Sequence, residues 1–195
     1  MLQRIIDYIR PPRLATRAAL HKFHSGEASY IAQRSTYEFT RNTLAWFGQS
    51  AFGDKEFNRV FAINRWEAYA AILADMVVLT RDLLLQNING NAISLNHQMV
   101  ALYREMLDAY ETPVHREQNG WGDRIDDLTA RLALVGQSET PGRIARISAA
   151  RIMETIAVQS RNPEDDKMVV ENAIKFGLIS FFDRLRQRLD ASAIA

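Results

Sequence analysis

RWEAYAAILADMVVLTRDLLLQ, from Arg65 to Gln86, is the stretch on which the fold turns. No glycine or proline interrupts it, and its apolar residues crowd every face of a helical wheel. The continuous apolar run is too short to span a bilayer, and the whole is too hydrophobic to lie on a surface. It is therefore expected to form the centre of a helical domain. Three acids interrupt it, Glu67, Asp75 and Asp82, and a carboxylate carried into a core must find a partner.

The flanking segments read as helices of the same bundle. Upstream, a helix is expected from about Glu27 to Phe47, with Ser25 as N-cap and Gly48 as stop. Ala28, Ala32, Phe39 and Trp46 give it a broad apolar side, with Ile31 and Phe47 beside them. Tyr30, Arg34, Tyr37, Glu38, Arg41 and Leu44 form a second side that mixes aromatic and charged residues. GQSAFGD follows, with Asp54 as a candidate N-cap for a short helix from Lys55 to about Ile63.

Downstream, NINGN offers a left-handed stop at Asn89 and Gly90, and Leu95 to Tyr110 reads as an amphipathic helix through Met99, Leu102, Met106 and Leu107. ETPVHREQNGWG is a polar connector that Trp121 would anchor. A helix from about Asp123 to Val135 and the loop from Gly136 to Gly142 come next. Arg143 to Ser160 holds a helix from about Ser148 to Val158, although RIARI alternates as a short strand would. The last helix is the best signalled, with Asn162 as cap, Pro163 in the first turn, acids at 164–166 and Arg184, Arg186 and Arg188 near its end. Val170, Ile174, Leu178, Phe181, Leu185 and Leu189 share one face of it.

The fold class is therefore all-α: a bundle of six to eight helices around a central hydrophobic helix at about 65–86, closed by a long C-terminal helix at about 163–189. With 195 residues, 47% of them hydrophobic, the chain suits one well-filled core, so residues 1–195 are taken as a single domain. Residues 1–12 form an N-terminal amphipathic arm in this reading. Leu2, Ile5, Ile6 and Ile9 make its stripe, and through His24 the only acid among Arg4, Arg10, Arg13, Arg17 and Lys22 is Asp7. Such a segment suits a protein partner's groove, an anionic membrane surface or its own domain.

Familiar chemistries find little support. His21 and His24 share a face in HKFH, but no Glu-x-x-His or two-histidine zinc motif is present, so no metal site is assigned. GQSAFG around Ser50 has its second glycine one position too late for a nucleophile elbow and lacks the preceding strand. Neither GxxxxGK[ST] nor GxGxxG occurs, so no nucleotide cofactor is implied, and no cofactor of another kind is assigned. Arg143, Arg146, Arg151 and the terminal RLRQR are basic, yet 24 basic residues stand against 23 acidic ones across the chain, which disfavours nucleic acid. The absence of cysteine and of a secretory h-region fits a cytoplasmic protein, with peripheral membrane association compatible.

One constellation remains. Asp75 and Asp82 lie seven residues apart on one helical stripe, and Arg34 and Arg41 repeat that spacing with Tyr37 and Glu38 between them. Two antiparallel helices would match guanidinium to carboxylate at two levels, as a structural ladder. Alternatively, one arginine left unpaired would face a pocket with Tyr37 and Trp66, edged by Glu67, for a small anionic or amphipathic ligand. With no convincing acid–base or nucleophile set, the sequence favours a non-enzymatic interaction module, an adaptor or assembly factor, whose arm and aromatic surface engage a protein or membrane face. The alternative is a binder of, or enzyme acting on, a small ligand near Arg34, Tyr37, Arg41 and Asp75. A homo-oligomer is compatible with either.

Overall fold

A computed structural model describes residues 12–47, 53–87, 91–134, 139–156 and 162–194; of Glu38 and residues 41–47 it describes the backbone alone. The described residues are all-α. The helices are α1 (Arg17–Phe47), α2 (Lys55–Asn87), α3 (Ala92–Asp108), α4 (Gly122–Leu134), α5 (Pro141–Glu154), α6 (Pro163–Arg188) and the short α7 (Ala191–Ile194), with a 3-10 turn at Val114–Arg116. The amphipathic stripe expected at Leu2–Ile9 lies outside the described residues, as do the stop at Asn89 and Gly90 and residues 136–138 of the expected loop.

Three expected boundaries are corrected. Helix α1 starts ten residues before Glu27, because Thr16 caps it: its Oγ1 accepts from the Ala19 amide at 3.1 Å. Ser25 and Gly26 are interior residues, carried by the burial of Leu20, Phe23 and His24 on one side and Ala28 and Ile31 on the other. The short helix from Lys55 and the apolar helix from Arg65 are one element, α2. Asp54 caps it as expected, its Oδ1 accepting from Phe57 N at 2.7 Å. Asn64 does not break it, because its side chain bonds elsewhere: Nδ2 donates to Ile152 O at 2.9 Å and Thr155 Oγ1 at 3.0 Å, tying α2 to the end of α5. RIARI is helical, and α5 begins at Pro141 rather than Ser148, with Ile144, Ala145, Ser148, Ala149 and Ile152 buried. Proline in the first turn sets that start.

Packing explains why α2 is apolar on all sides. It contacts α1, α3, α4, α5, α6 and α7, and nearly every residue from Glu67 to Leu84 is buried. Helix α6 buries the stripe expected of it, Val170, Ile174, Leu178, Phe181 and Leu185, with Leu189 partly buried. Trp121 is buried at the end of the connector, with the Arg116 guanidinium 4.8 Å from its ring centroid. The chain enters beside the end of α6, where Leu14 N donates to Arg188 O at 2.8 Å and Asp190 N to Leu14 O at 3.1 Å.

Helices α1 and α6 approach closely at Gly177, where a Cβ would stand 2.7 Å from Ile31 Cγ1 and 2.8 Å from its Cδ1. Ile31 is buried and β-branched, so it has little room to yield. Gly177→Ala is expected to destabilise by about 1–3 kcal/mol despite alanine's better helix propensity. Adding Ile31→Ala should recover part of that loss relative to Ile31→Ala alone. A stabilised Gly177→Ala protein in chemical denaturation would refute the close contact.

Candidate functional site

Burial in α2 forces Glu67, Asp75 and Asp82 each to find a cation, and each does so away from α1. Asp75 is fully buried; Arg131 Nη2 of α4 donates to its Oδ1 at 2.6 Å, and Ser148 Oγ of α5 donates to its Oδ2. Asp82 accepts from Arg81 Nη1 at 2.9 Å and from the Glu139 amide at 2.8 Å. The ladder expected between Arg34 and these two acids is therefore not formed. Arg34 is exposed, 3.5 Å from the Tyr30 hydroxyl, and the side chains of Arg41 and Glu38 lie outside the described residues. The wheel placed Asp75 and Asp82 correctly on one buried stripe, but that stripe faces α4, α5 and the segment before α5.

Glu67 gathers a larger set. His115 Nε2 lies 2.9 Å from its Oε1, Arg116 donates to both oxygens at 2.7 Å, and Arg124 donates to Oε2 at 2.7 and 3.0 Å. Burial pushes the Glu67 carboxyl up, but the hydrogen bonds from Arg116, His115 and Arg124 together hold it below the usual carboxylate range. It is an ionised, saturated anchor that fastens the connector and the start of α4 onto α2. Its oxygens have no capacity left for proton transfer.

Asp75 is an acid whose protonation is strongly altered. Burial drives its pKa up to about 7 against the opposing pull of Arg131. Its oxygens are covered by Arg131 and Ser148, and the neighbouring hollow of about 260 Å³ is lined by Ala71, Ala74, Tyr103, Arg124, Arg131 and Arg151 among others, without Asp75. The arginines there are engaged: Arg151 reaches Asp127 at 2.8 Å, and Arg124 serves Glu67. His24 is fully buried between Leu20 O at 2.9 Å and Thr80 Oγ1 at 2.7 Å, and burial lowers its pKa to about 4. Both groups are shifted by enclosure and neither is accessible to a substrate.

The accessible aromatic surface lies elsewhere, around Trp66. Trp66, Tyr69 and Tyr110 meet edge to face, with centroids 5.6–6.0 Å apart and interplanar angles of 66–88°. They separate two adjoining recesses. One, of about 410 Å³, is lined by Ser29, Ala32 and Gln33 of α1, Ala62, Arg65, Trp66 and Tyr69 of α2, and Tyr110. The other, of about 600 Å³, lies between Arg59, Ala62, Ile63 and Trp66 on one side and the connector from Tyr110 to Glu117 on the other. Ala62, Trp66 and Tyr110 line both, so the two form one groove open to solvent.

Of the candidate site residues whose side chains are described, only Trp66 lines this groove. Tyr37 is half exposed and lies outside it, its ring 6.5 Å from that of Phe61. Sequence reasoning missed Arg65, Tyr69 and Tyr110, and also Arg116, Arg124 and Arg131 as the partners of the α2 acids. A signal for Arg131 exists, since it sits beside Leu132 and three residues from Leu128 at the border of an apolar stripe, where a long cation can reach inward. For Tyr110 there is none, because it lies just past the end of α3 and meets α2 only through the path of the connector.

Among the described residues, no group of three or more His, Asp or Glu side chains is placed to hold a metal ion, and no helix is long and apolar enough to cross a membrane. Comparison with protein-family models, with curated proteins and with solved structures finds no match to this chain.

Proposed function

We propose that this chain is a non-enzymatic interaction module whose working surface is the aromatic groove between α1, α2 and the connector. The observation that carries the reading is the contrast between its polar and aromatic groups. The buried acids and His24 are enclosed, while Trp66 and Tyr110 remain partly open in a groove of the volume that ligands and peptide anchors occupy. Tyrosine and tryptophan at such a surface give large contact area at low entropic cost. The occupant proposed is a segment of a protein partner that is apolar at its anchor, with the cytoplasm as the location that the cysteine-free composition favours.

Photo-crosslinking tests this reading. A benzophenone side chain replacing Tyr110 places the probe in the groove, and one replacing Phe176, which is 71% exposed on α6, serves as a control far along another helix. The expected result is a partner captured at Tyr110 and not at Phe176, with capture lost when Ala62→Trp fills both recesses. Capture at neither position, or capture indifferent to Ala62→Trp, would refute the proposal.

A further inference from the structure

We infer that the recess beside Arg65 is a subsite for a carboxylate joined to an aromatic or aliphatic body, an inference that rests on the groove being the working surface. Among the described residues lining that recess, Arg65 is the only charged one. It is exposed, and among the described residues no hydrogen bond or ion pair joins it to a partner. Its position in a recess shared with Trp66, Tyr69 and Tyr110 leaves a guanidinium with its fork unused next to aromatic surface, the arrangement that recognises a planar carboxylate.

The rest of the lining agrees. Gln33 and Ser29 supply neutral polar groups, and Trp66 and Tyr110 supply the apolar wall. Tyr69 forms part of the lining while remaining 4% exposed, with the hydroxyls of Ser25 and Tyr110 beside its own. The adjoining recess carries Glu111 and Glu117, and its cationic side chains Arg59 and His115 are held by Glu56 and Glu67, so the carboxylate is assigned to the Arg65 side. A quaternary ammonium is excluded by packing as well as charge. The three rings touch edge to face at 5.6–6.0 Å between centroids, leaving no gap between them for a cation to be caged.

Two probes of nearly the same shape isolate the charge: N-acetyl-phenylalanine and N-acetyl-phenylalaninamide, titrated into the full chain with the Trp66 indole resonance followed by NMR. The acid is expected to bind about tenfold more tightly than the amide, as a charge-assisted pair requires. Arg65→Met should erase the difference while leaving the melting temperature unchanged, since Arg65 has no partner to lose. A third probe, N-acetyl-Phe-Asp-amide, moves the carboxylate from chain terminus to side chain, and whichever acid binds more tightly identifies the source.

Equal binding of acid and amide, a preference that survives Arg65→Met, or no binding of any probe would overturn the inference. If partner capture at Tyr110 persists in any of those cases, the carboxylate subsite alone is wrong. Discrimination by Arg65 without partner capture would instead retain the subsite and remove the interaction reading.

Discussion

Replacing Glu67 by alanine is expected to lower stability by about 3–5 kcal/mol, the cost of leaving buried cations without their counter-ion. Arg116 and Arg124 are only 11% and 16% exposed, and both direct guanidinium nitrogens at this one carboxylate. Asp123 lies 2.6 Å from Arg116 and Asp127 3.5 Å from Arg124, but both acids are about half exposed and leave most of the penalty in place. The connector carries His115, Arg116 and one wall of the groove, so its amides should lose protection in hydrogen exchange before the rest of the molecule. Glu67→Gln keeps the shape while removing the charge and is expected to fall between wild type and alanine. A loss below about 1 kcal/mol for Glu67→Ala in denaturant titration would show that the connector is held by Trp121 packing instead.

The second large effect is a cancellation that two variants would expose. His24 has a folded pKa of about 4 against 6.5 for the free side chain. The unfolded chain therefore binds the proton first on acidification, and stability falls between pH 6.5 and 4. Asp75 has a folded pKa of about 7 against 3.8. Here the folded chain binds the proton first, so stability rises as pH falls through the same window. Between about pH 6.5 and 4.5 the two slopes oppose each other, each worth about 3 kcal/mol over that range. Wild-type stability should be nearly flat there.

Asp75→Asn removes the rising contribution, and its stability should drop by about 3 kcal/mol from pH 6.5 to 4.5. His24→Gln removes the falling one, and its stability should climb by a similar amount. Glu67 contributes below this window, because its carboxyl is held below the usual range. Chemical denaturation at several pH values reads the slopes directly, independent of how much each variant costs at neutral pH. Parallel profiles for the two variants would mean that the buried groups do not titrate as their enclosure requires.

The legible part of this protein was its periodicity. The apolar run from Arg65 to Gln86 identified the helix that every other one packs against, and the stripe from Val170 to Leu185 located the buried face of α6. Asp54 was readable as a cap because an N-cap is a local contact between a side chain and an amide three residues on. The start of α1 was not readable, since Ser25 and Gly26 resemble a helix boundary and only the burial of residues on both sides overrides them. Asn64 misled for the same reason: its amide is satisfied by α5, almost ninety positions along the chain.

Pairing was least legible. The helical wheel showed that Asp75 and Asp82 share a stripe, but matching spacings in Arg34 and Arg41 say nothing about which helix that stripe faces. The choice of Arg131 for Asp75 depends on α4 lying over α2, and the choice of Arg116 and Arg124 for Glu67 depends on the connector crossing it. By itself, then, the sequence determined an all-α protein, its buried stripes and the fact that each acid in α2 must meet a cation, because these follow from periodicity and the cost of burying charge. Only the tertiary structure decided which cations those are and that Trp66, Tyr69 and Tyr110 meet beside Arg65. Those outcomes rest on the relative placement of helices, which no local spacing encodes.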